Sequence, residues 1–400
     1  MQTKDNGFMD EIMNGIDGLD SRSSIAQISS QLLNALMAKE RELFLKEQAE
    51  NKANGYYERG LACALGKLGL SVPRDRKGDF RSAVMPDLWQ RSDESLQDLL
   101  FNLILQSYSP NKIKALLKAM DLPYSPEQID ELREELYQKA KELRSKQLPD
   151  KAVCIFIDAY HTDMKEDESG RVKKAVIYTI IGIDLAGKKD IYGYYIMPGS
   201  ETKEDWLVVL NDLIGRGLKR LMMVVSDDFS GLSGAISALF SKSDHQLCFV
   251  HMQRNVRRNM SKADAKVFNA ELSLIRKSKD METAIDKFAK LCNDYATKYK
   301  TFIDNLLKNK ERYFAFIKYP EPVRKNLYTT NAVENFNSRI EVARVNSGGY
   351  FQSVKTAEVS LYVIIHKLQR NRWKKPVLSF REAEYELNQL FNSMFYGGDK

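Results

Sequence analysis

The chain has 400 residues, 43% of them hydrophobic and 10% aromatic. That is the composition of a folded protein with a substantial core, not of a disordered or fibrous one, and the length calls for two or three domains. Lys plus Arg number 61 against 54 Asp plus Glu, a formal charge of +7, which suits a nucleic-acid partner without requiring one.

In chain order, a polar lead comes first and lacks the basic-then-apolar layout of a secretory signal. Residues 25–50 then carry apolar positions at helical spacing and predict a helix. Gly, Pro and Arg crowd residues 51–80, which read as loop with short extended pieces and a dense basic patch at Arg74, Arg76 and Lys77. The segments LQDLLFNLILQ, SPNKIKALLKAM and SPEQIDELREELYQKAKELRSK predict three helices. Ser92 or Ser95 is the cap of the first, and Ser109-Pro110 and Ser125-Pro126 open the others. Three short helices with tight turns fit a helix-turn-helix-like DNA module, and they fit a plain helical bundle equally well.

The texture changes at residue 149. AVCIFIDAY is an apolar run ending near Asp158, and KKAVIYTIIGID and KDIYGYYIM are β-rich runs separated by a turn. TKEDWLVVLNDLIGRGL predicts a helix closed by Gly217. LMMVVSDD reads as a strand ending in acid, FSGLSGAISALF as a helix and QLCFVH as a short strand. This order predicts a mixed sheet flanked by helices, an α/β fold. Residues 252–325 read as almost wholly helical and Lys-rich. After Pro320 and Pro322, TTNAVEN opens a helix, a second runs through His366 to Trp373 until Pro376 stops it, and REAEYELNQLFNSMF is a last amphipathic helix. No apolar run reaches the roughly 18 residues of a membrane-spanning helix. Cys63, Cys154, Cys248 and Cys292 lie far apart, as in a reducing compartment rather than a disulfide framework.

Two acids close apolar strands: Asp158 follows IFI, and Asp227 follows VVS. A carboxylate there is costly unless something pairs with it, and two on neighbouring strands repel unless a cation sits between them. Two Mg²⁺ ions held by such carboxylates support in-line attack on a phosphodiester. Strand-end Asp residues also serve simply to cap the following turn. Glu334 is the natural third ligand, although Asn331 and Glu334 also make a capping-box pattern. Cys248-x-x-His251 lacks the second pair that a four-ligand zinc site needs. His251 therefore reads as facing a phosphate or substrate beside the carboxylates, or as a satisfied core histidine. Arg254, Arg257, Arg258 and Lys262 follow as a solvated helix face or as phosphate contacts.

Over nearly its whole length the chain resembles the Mutator-type transposases of prokaryotic insertion sequences. The matching pieces are Asn54-Gly55-Tyr56-Tyr57-x-Arg59, Val72-Pro73-Arg74-Asp75-Arg76-x-Gly78-x-Phe80, Glu201-x-Lys203-Glu204-x-Trp206 with Arg216-Gly217-Leu218, Ser226-Asp227, Cys248-x-x-His251 with Arg254-Asn255, and Thr329-Thr330-Asn331-Ala332-x-Glu334-x-x-Asn337. The resemblance implies a ribonuclease-H-like core with a DDE triad of Asp158, Asp227 and Glu334 as metal ligands and catalytic residues. His251 would position a phosphate or water, and Mg²⁺ would be the cofactor, with Mn²⁺ as a substitute. It also implies an all-helical insertion within the core, and with the changes of texture along the chain the expected division is an N-terminal helix plus basic loop region (1–92), a helix-turn-helix-like DNA-binding region (93–148), a core in two parts (149–253 and 326–375) around the insertion (254–325), and a C-terminal helix and tail (376–400). The implied partner is double-stranded DNA, both element ends and target. Arg74, Arg76, Lys77, Arg254, Arg257, Arg339 and Arg344 are the candidate phosphate contacts, and the expected assembly is a homodimer or larger. The implied location is the nucleoid of a prokaryotic cytoplasm. Two positions depart from the pattern: Asp228 stands where the family usually has Gly, and Glu341 reduces the basic character after Asn337. A catalytically silent DNA-binding regulator and a structure-specific nuclease are the alternative readings.

Overall fold

A computed structural model of the chain describes residues 25–48, 50–64, 66–85, 94–106, 110–119, 126–166, 169–229 and 231–397. The chain divides into two units, one up to Glu134 and one from Glu135 onward. In the first, helix α1 (Ile25–Lys46) packs on an antiparallel hairpin of β1 (Ala53–Cys63) and β2 (Gly66–Asp75), paired from Ala53↔Asp75 to Cys63↔Gly66. This corrects the loop reading of residues 51–80. Alternate residues Leu61, Cys63, Leu68, Leu70 and Val72 turn inward against Met37 of α1. The outward positions carry Glu58, Lys67, Gly60 and Gly69, and Arg59 and Arg74 stand at inward positions, which hid the period-2 pattern.

Helices α2 (Glu94–Leu105), α3 (Pro110–Ala119) and α4 (Pro126–Ser145) follow, the last crossing the unit boundary. Ser95 falls in the first turn of α2, while Ser92, Ser109 and Ser125 lie outside the described residues.

The second unit is built on five strands: β3 (Lys151–Lys165), β4 (Val172–Ile183), β5 (Lys189–Pro198), β6 (Arg220–Ser226) and β7 (Asp244–Leu247). Their order is β5-β4-β3-β6-β7; the first three pair antiparallel, and β3, β6 and β7 run parallel. The expected mixed α/β architecture is present. The strand carrying Asp158 is longer than its apolar run, so Asp158 lies in mid-strand opposite Thr179, not at a strand end.

Helices α5 (Lys203–Gly215) and α6 (Leu232–Leu239) cover one face of the sheet. There Ile155, Ile157, Tyr178, Ile180 and Val224 bury against Trp206, Leu210, Leu213 and Ala235. Thr202 caps α5 by accepting from the Asp205 N–H at 3.0 Å, and Gly217, at φ 115°, ends it as the sequence predicts. Trp206, 1% exposed, donates to Glu201 at 2.7 Å and stands edge-on to Tyr178. The signature around Glu201 and Trp206 thus anchors α5 to the sheet.

Between β7 and residue 330 the described residues form helices only: α7 (Phe249–Asn259), α8 (Lys262–Ile275), α9 (Met281–Tyr295), α10 (Lys300–Lys308), α11 (Lys310–Phe314), a 3₁₀ turn (Ala315–Lys318) and α12 (Glu321–Leu327). Edge-to-face contacts among Phe249, Phe288, Phe314, Phe316 and Tyr328 tie them together. Helix α13 (Asn331–Asn346) then lies against β3 and β4, on the opposite face of the sheet from α5. Helices α14 (Val354–Arg370), α15 (Leu378–Glu382) and α16 (Glu384–Tyr396) complete the unit. Among the described residues no helix is long and apolar enough to cross a membrane, and all four cysteines are free and buried.

Candidate active site

Successive β3 side chains alternate between faces, so Ile155 and Ile157 enter the core under α5 while Asp158 points to the side covered by α13. The parallel pairing of β3 with β6 sets Phe156 opposite Val225. Continued two residues, that register brings Asp227, just past the strand end, level with Asp158. Neighbouring strands are about 4.8 Å apart, so the two acids become close neighbours.

Asp158 accepts from the Ala159 N–H at 2.9 Å and from Asn337 Nδ2 at 2.7 Å. Burial, followed by the Asp227 charge, pushes its carboxyl up to about 7. Glu334 enters from the first turn of α13. Thr330, not Asn331, holds the cap position of that helix and makes no side-chain cap, so the capping-box alternative is not what forms. Instead the Glu334 carboxylate takes Arg254 in a two-point grip, at 2.7 and 3.2 Å.

His251 sits between the acids. Its Nδ1 meets Asp227 Oδ1, and its Nε2 lies 3.1 Å from Glu334 Oε1 and 2.7 Å from Arg254 Nη1. Burial opposes the imidazolium, but the Asp227 carboxylate and the Cys248 thiol outweigh it and raise the ring to about 10. In that form Nε2 donates to Glu334; only the neutral ring can accept from Arg254. Cys248 was read as part of a strand. It is the N-cap of α7, and His251 lies in that helix's first turn, so the C-x-x-H pair shares one helix face. Thr330 donates to the Cys248 sulfur from its hydroxyl at 3.2 Å. Burial would raise the thiol, but the His251 and Thr330 bonds hold it below its usual range. Asp227, Cys248 and His251 each offer a donor atom within 4.8 Å of the others, a group able to hold a metal ion.

The remaining predicted residues divide. Arg344 is bound to Glu341 at 2.5 and 2.9 Å and to the Tyr160 hydroxyl at 3.2 Å. Arg339, on the same helix, is half-buried, and its Nε has no hydrogen-bond partner among the described residues. Arg257 is exposed on α7. In the first unit, Arg74, Arg76 and Lys77 are exposed at the end of β2 and in the turn that follows. Asp228 turns away from the cluster and accepts from Asn309 at 2.9 Å.

Sequence reasoning gave Asn337 and Tyr160 no role. Asn337 stands three residues from Glu334 and Tyr160 two from Asp158, spacings that put each on the face of its neighbour. That signal was available. The pairing of Arg254 with Glu334, 80 positions apart, had no sequence signal.

Comparison with known proteins follows from this arrangement. A family model described as Transposase, Mutator family, matches residues 4–376. The transposase for insertion sequence element IS1201 of Lactobacillus helveticus is 28% identical over 292 residues, covering 73% of this chain and 78% of that protein. A probable transposase for an ISRM3-like element of Sinorhizobium fredii is 26% identical over 372 residues, 92% of each chain. Among solved structures, the Drosophila P element transposase strand transfer complex aligns at a TM-score of 0.29 and 13% identity, over 81% of this chain and 89% of that one. With a family model spanning 373 positions and relatives matched along most of their length, the chain belongs to the Mutator family of transposases.

Proposed function

We propose that the chain binds the terminal inverted repeats of its own mobile element, cuts at the element ends and joins the 3′-OH ends to target DNA. The observation that carries this reading is the meeting of Asp227 and Glu334, from the end of β6 and from α13, on one imidazole, with Asp158 of β3 level with Asp227 and tied to α13 through Asn337. The sheet order, three antiparallel strands followed by two parallel ones, supports a ribonuclease-H-like core, with residues 254–325 as its helical insertion. The residue 93–148 helices and the basic end of the hairpin are the proposed grip on the element end. The working species is a homodimer or larger on paired ends, acting on the nucleoid of a prokaryotic cytoplasm.

The donor set fits a hard divalent cation. Carboxylate oxygens are its preferred ligands, and burial, with the Asp227 charge second, holds the Asp158 carboxyl above its usual range, a cost that a bound cation would relieve. Mg²⁺, or Mn²⁺ in its place, would be held by Asp158 and Asp227 with Glu334 completing the set, and would supply Lewis acidity at the scissile phosphate and a more acidic attacking hydroxyl. The chain's own groups do the rest. Asn337 fixes the rotamer of Asp158. His251 and Arg254 neutralise Asp227 and Glu334 meanwhile, and their cationic groups are then placed to receive phosphate oxygens. Arg257 is an exposed phosphate contact on the same helix as His251. Arg344 is held by Glu341, so its part is to fix α13 to Tyr160.

The test is a strand-transfer assay with full-length protein, Mg²⁺, supercoiled target plasmid and duplexes from the element ends. Wild-type protein is expected to join ends and Glu334→Gln to fail while still binding the duplex. Joining by Glu334→Gln at the wild-type rate would remove Glu334 from the ligand set. Asn337→Ala is expected to lower cleavage about 10–100-fold and to raise the Mg²⁺ concentration for half-maximal rate, with the melting temperature little changed. A parallel loss of rate at saturating Mg²⁺ and of folded protein would make Asn337 a packing residue only.

A further inference from the structure

A cavity of about 360 Å³ opens where β3, β4 and β5 meet the start of α13 and the segment after α14. Lys189, Lys325 and Arg372 line it together with Trp373, Asn331 and Asn335, and none of its lining residues is acidic. Lys189 is the deepest of the cations. It sits 5.5 Å over the Trp373 ring, and burial pushes its ammonium below the usual lysine range. Lys325 and Arg372 are exposed at the rim.

Gathering three cations at one concavity without a carboxylate costs free energy through like-charge repulsion and desolvation. Ring-face attraction to Trp373 recovers only part of it. An anion that enters would recover the rest. The asparagine amides add neutral donors at the wall, and Trp373 offers an aromatic face beside them. Two lining residues connect the cavity to the proposed active site: Phe156 lies two positions before Asp158 on β3, and Asn335 follows Glu334 on α13.

We infer that this cavity binds a phosphate group, presented either by a DNA strand passing behind α13 or by a free phosphate or nucleotide. Lys325 and Arg372 make the first contact and Lys189 and the asparagines the inner one. The DNA source rests on the function proposed above; the free-phosphate source does not.

The experiment uses full-length protein with two paired variants. Lys325→Gln/Arg372→Gln removes two cations from the rim. Lys374→Gln/Lys375→Gln removes the same charge from exposed neighbours outside the lining. Two assays are run on each protein: tryptophan fluorescence titrated with inorganic pyrophosphate at constant ionic strength, and affinity for a random-sequence duplex across a salt series. If DNA supplies the phosphate, the rim pair loses about tenfold or more in duplex affinity. The slope of log K against log[salt] also falls by about 1.8, as for two lost phosphate contacts, and the control pair changes much less. If a free phosphate is the ligand, pyrophosphate changes the wild-type fluorescence saturably, the rim pair loses that response, and duplex affinity stays with the control. Equal losses in the two pairs, or no loss by the rim pair in either assay, overturn the inference. Absence of strand transfer by wild-type protein would count against the proposed function and leave the pyrophosphate result standing.

Discussion

Asp158→Asn is expected to leave the metal-free protein more stable than wild type at pH 8 while ending cleavage and joining. The carboxyl of Asp158 is pushed from 3.8 up to about 7 by burial and by Asp227. Between those values the folded protein keeps a proton that the unfolded chain has released. Stability therefore falls as pH rises through that window, by about 4 kcal/mol in all. Asparagine does not titrate, so the variant escapes the fall. Its amide oxygen can still accept from Ala159, and Asn337, whose Oδ1 has no hydrogen-bond partner among the described residues, can turn its amide to accept from the new NH₂. His251 adds a separate slope in both proteins. Its raised value stabilises the fold fully below about 6.5, and that contribution is lost as pH rises toward about 10.

The measurement is melting temperature against pH in chelator, wild type beside variant. The difference is expected to be near zero at pH 4 and to reach on the order of 10 °C at pH 8. Saturating Mg²⁺ should narrow it, because a cation at the site lets Asp158 ionise freely. Equal melting curves at pH 8 would contradict the buried, repelled carboxylate. Cleavage by the variant at the wild-type rate would sink the assignment of Asp158 as a ligand.

The second large effect is expected at Arg216, which the resemblance places in a family signature and which could be mistaken for a DNA contact. The residue is 7% exposed. It donates to Asp212 at 2.8 Å, to the Tyr195 hydroxyl at 3.0 Å, to the Lys146 carbonyl at 3.2 Å and to the Tyr192 carbonyl. One side chain thus joins the end of α5, the middle of β5 and the segment entering β3. Gly193 leaves room for it, since a Cβ there would lie 3.0 Å from Arg216 Nη2. Arg216→Ala orphans these acceptors and is expected to cost about 3 kcal/mol or more. Chemical denaturation should show the loss, while duplex affinity per folded molecule stays unchanged. A variant of full stability with weakened DNA binding would make Arg216 a phosphate contact.

Much of this architecture was readable before any coordinates. The strand–helix order from residue 149 was legible because β3, β4, β5 and β6 each contain an apolar or β-rich run bounded by turn residues, although β3, β4 and β5 extend beyond those runs. The helix closed by Gly217 was legible because glycine, which takes a positive φ without strain, commonly ends helices, and Gly217 stands at φ 115°. The β1–β2 hairpin was not. Its outward face is polar, and Gly and Pro interrupt the alternation that a one-sided strand depends on. Cys248-Phe249-Val250 was misplaced for a related reason: these residues favour strands locally, and burial against Tyr328 and Phe314 makes them the start of a helix. At the site, residue types and spacing pointed to Asp158, Asp227, Glu334 and His251. They could not say that Arg254 would be spent on Glu334, since those partners meet only through tertiary packing; the Glu341–Arg344 pair, three residues apart on α13, was within reach of spacing alone.

One consequence follows from where α13 lies in the chain. All five strands of the sheet are made by residue 247, but the third carboxylate and the amide that steadies Asp158 come roughly 90 residues later. At a synthesis rate of about 5–20 residues per second, a ribosome needs on the order of ten seconds to cross that interval. Throughout it, a nascent sheet can fold with two of its three acids and none of the α13 side chains. Each new molecule therefore brings Glu334 and Asn337 to Asp158 and Asp227 only after every strand of the sheet has been made.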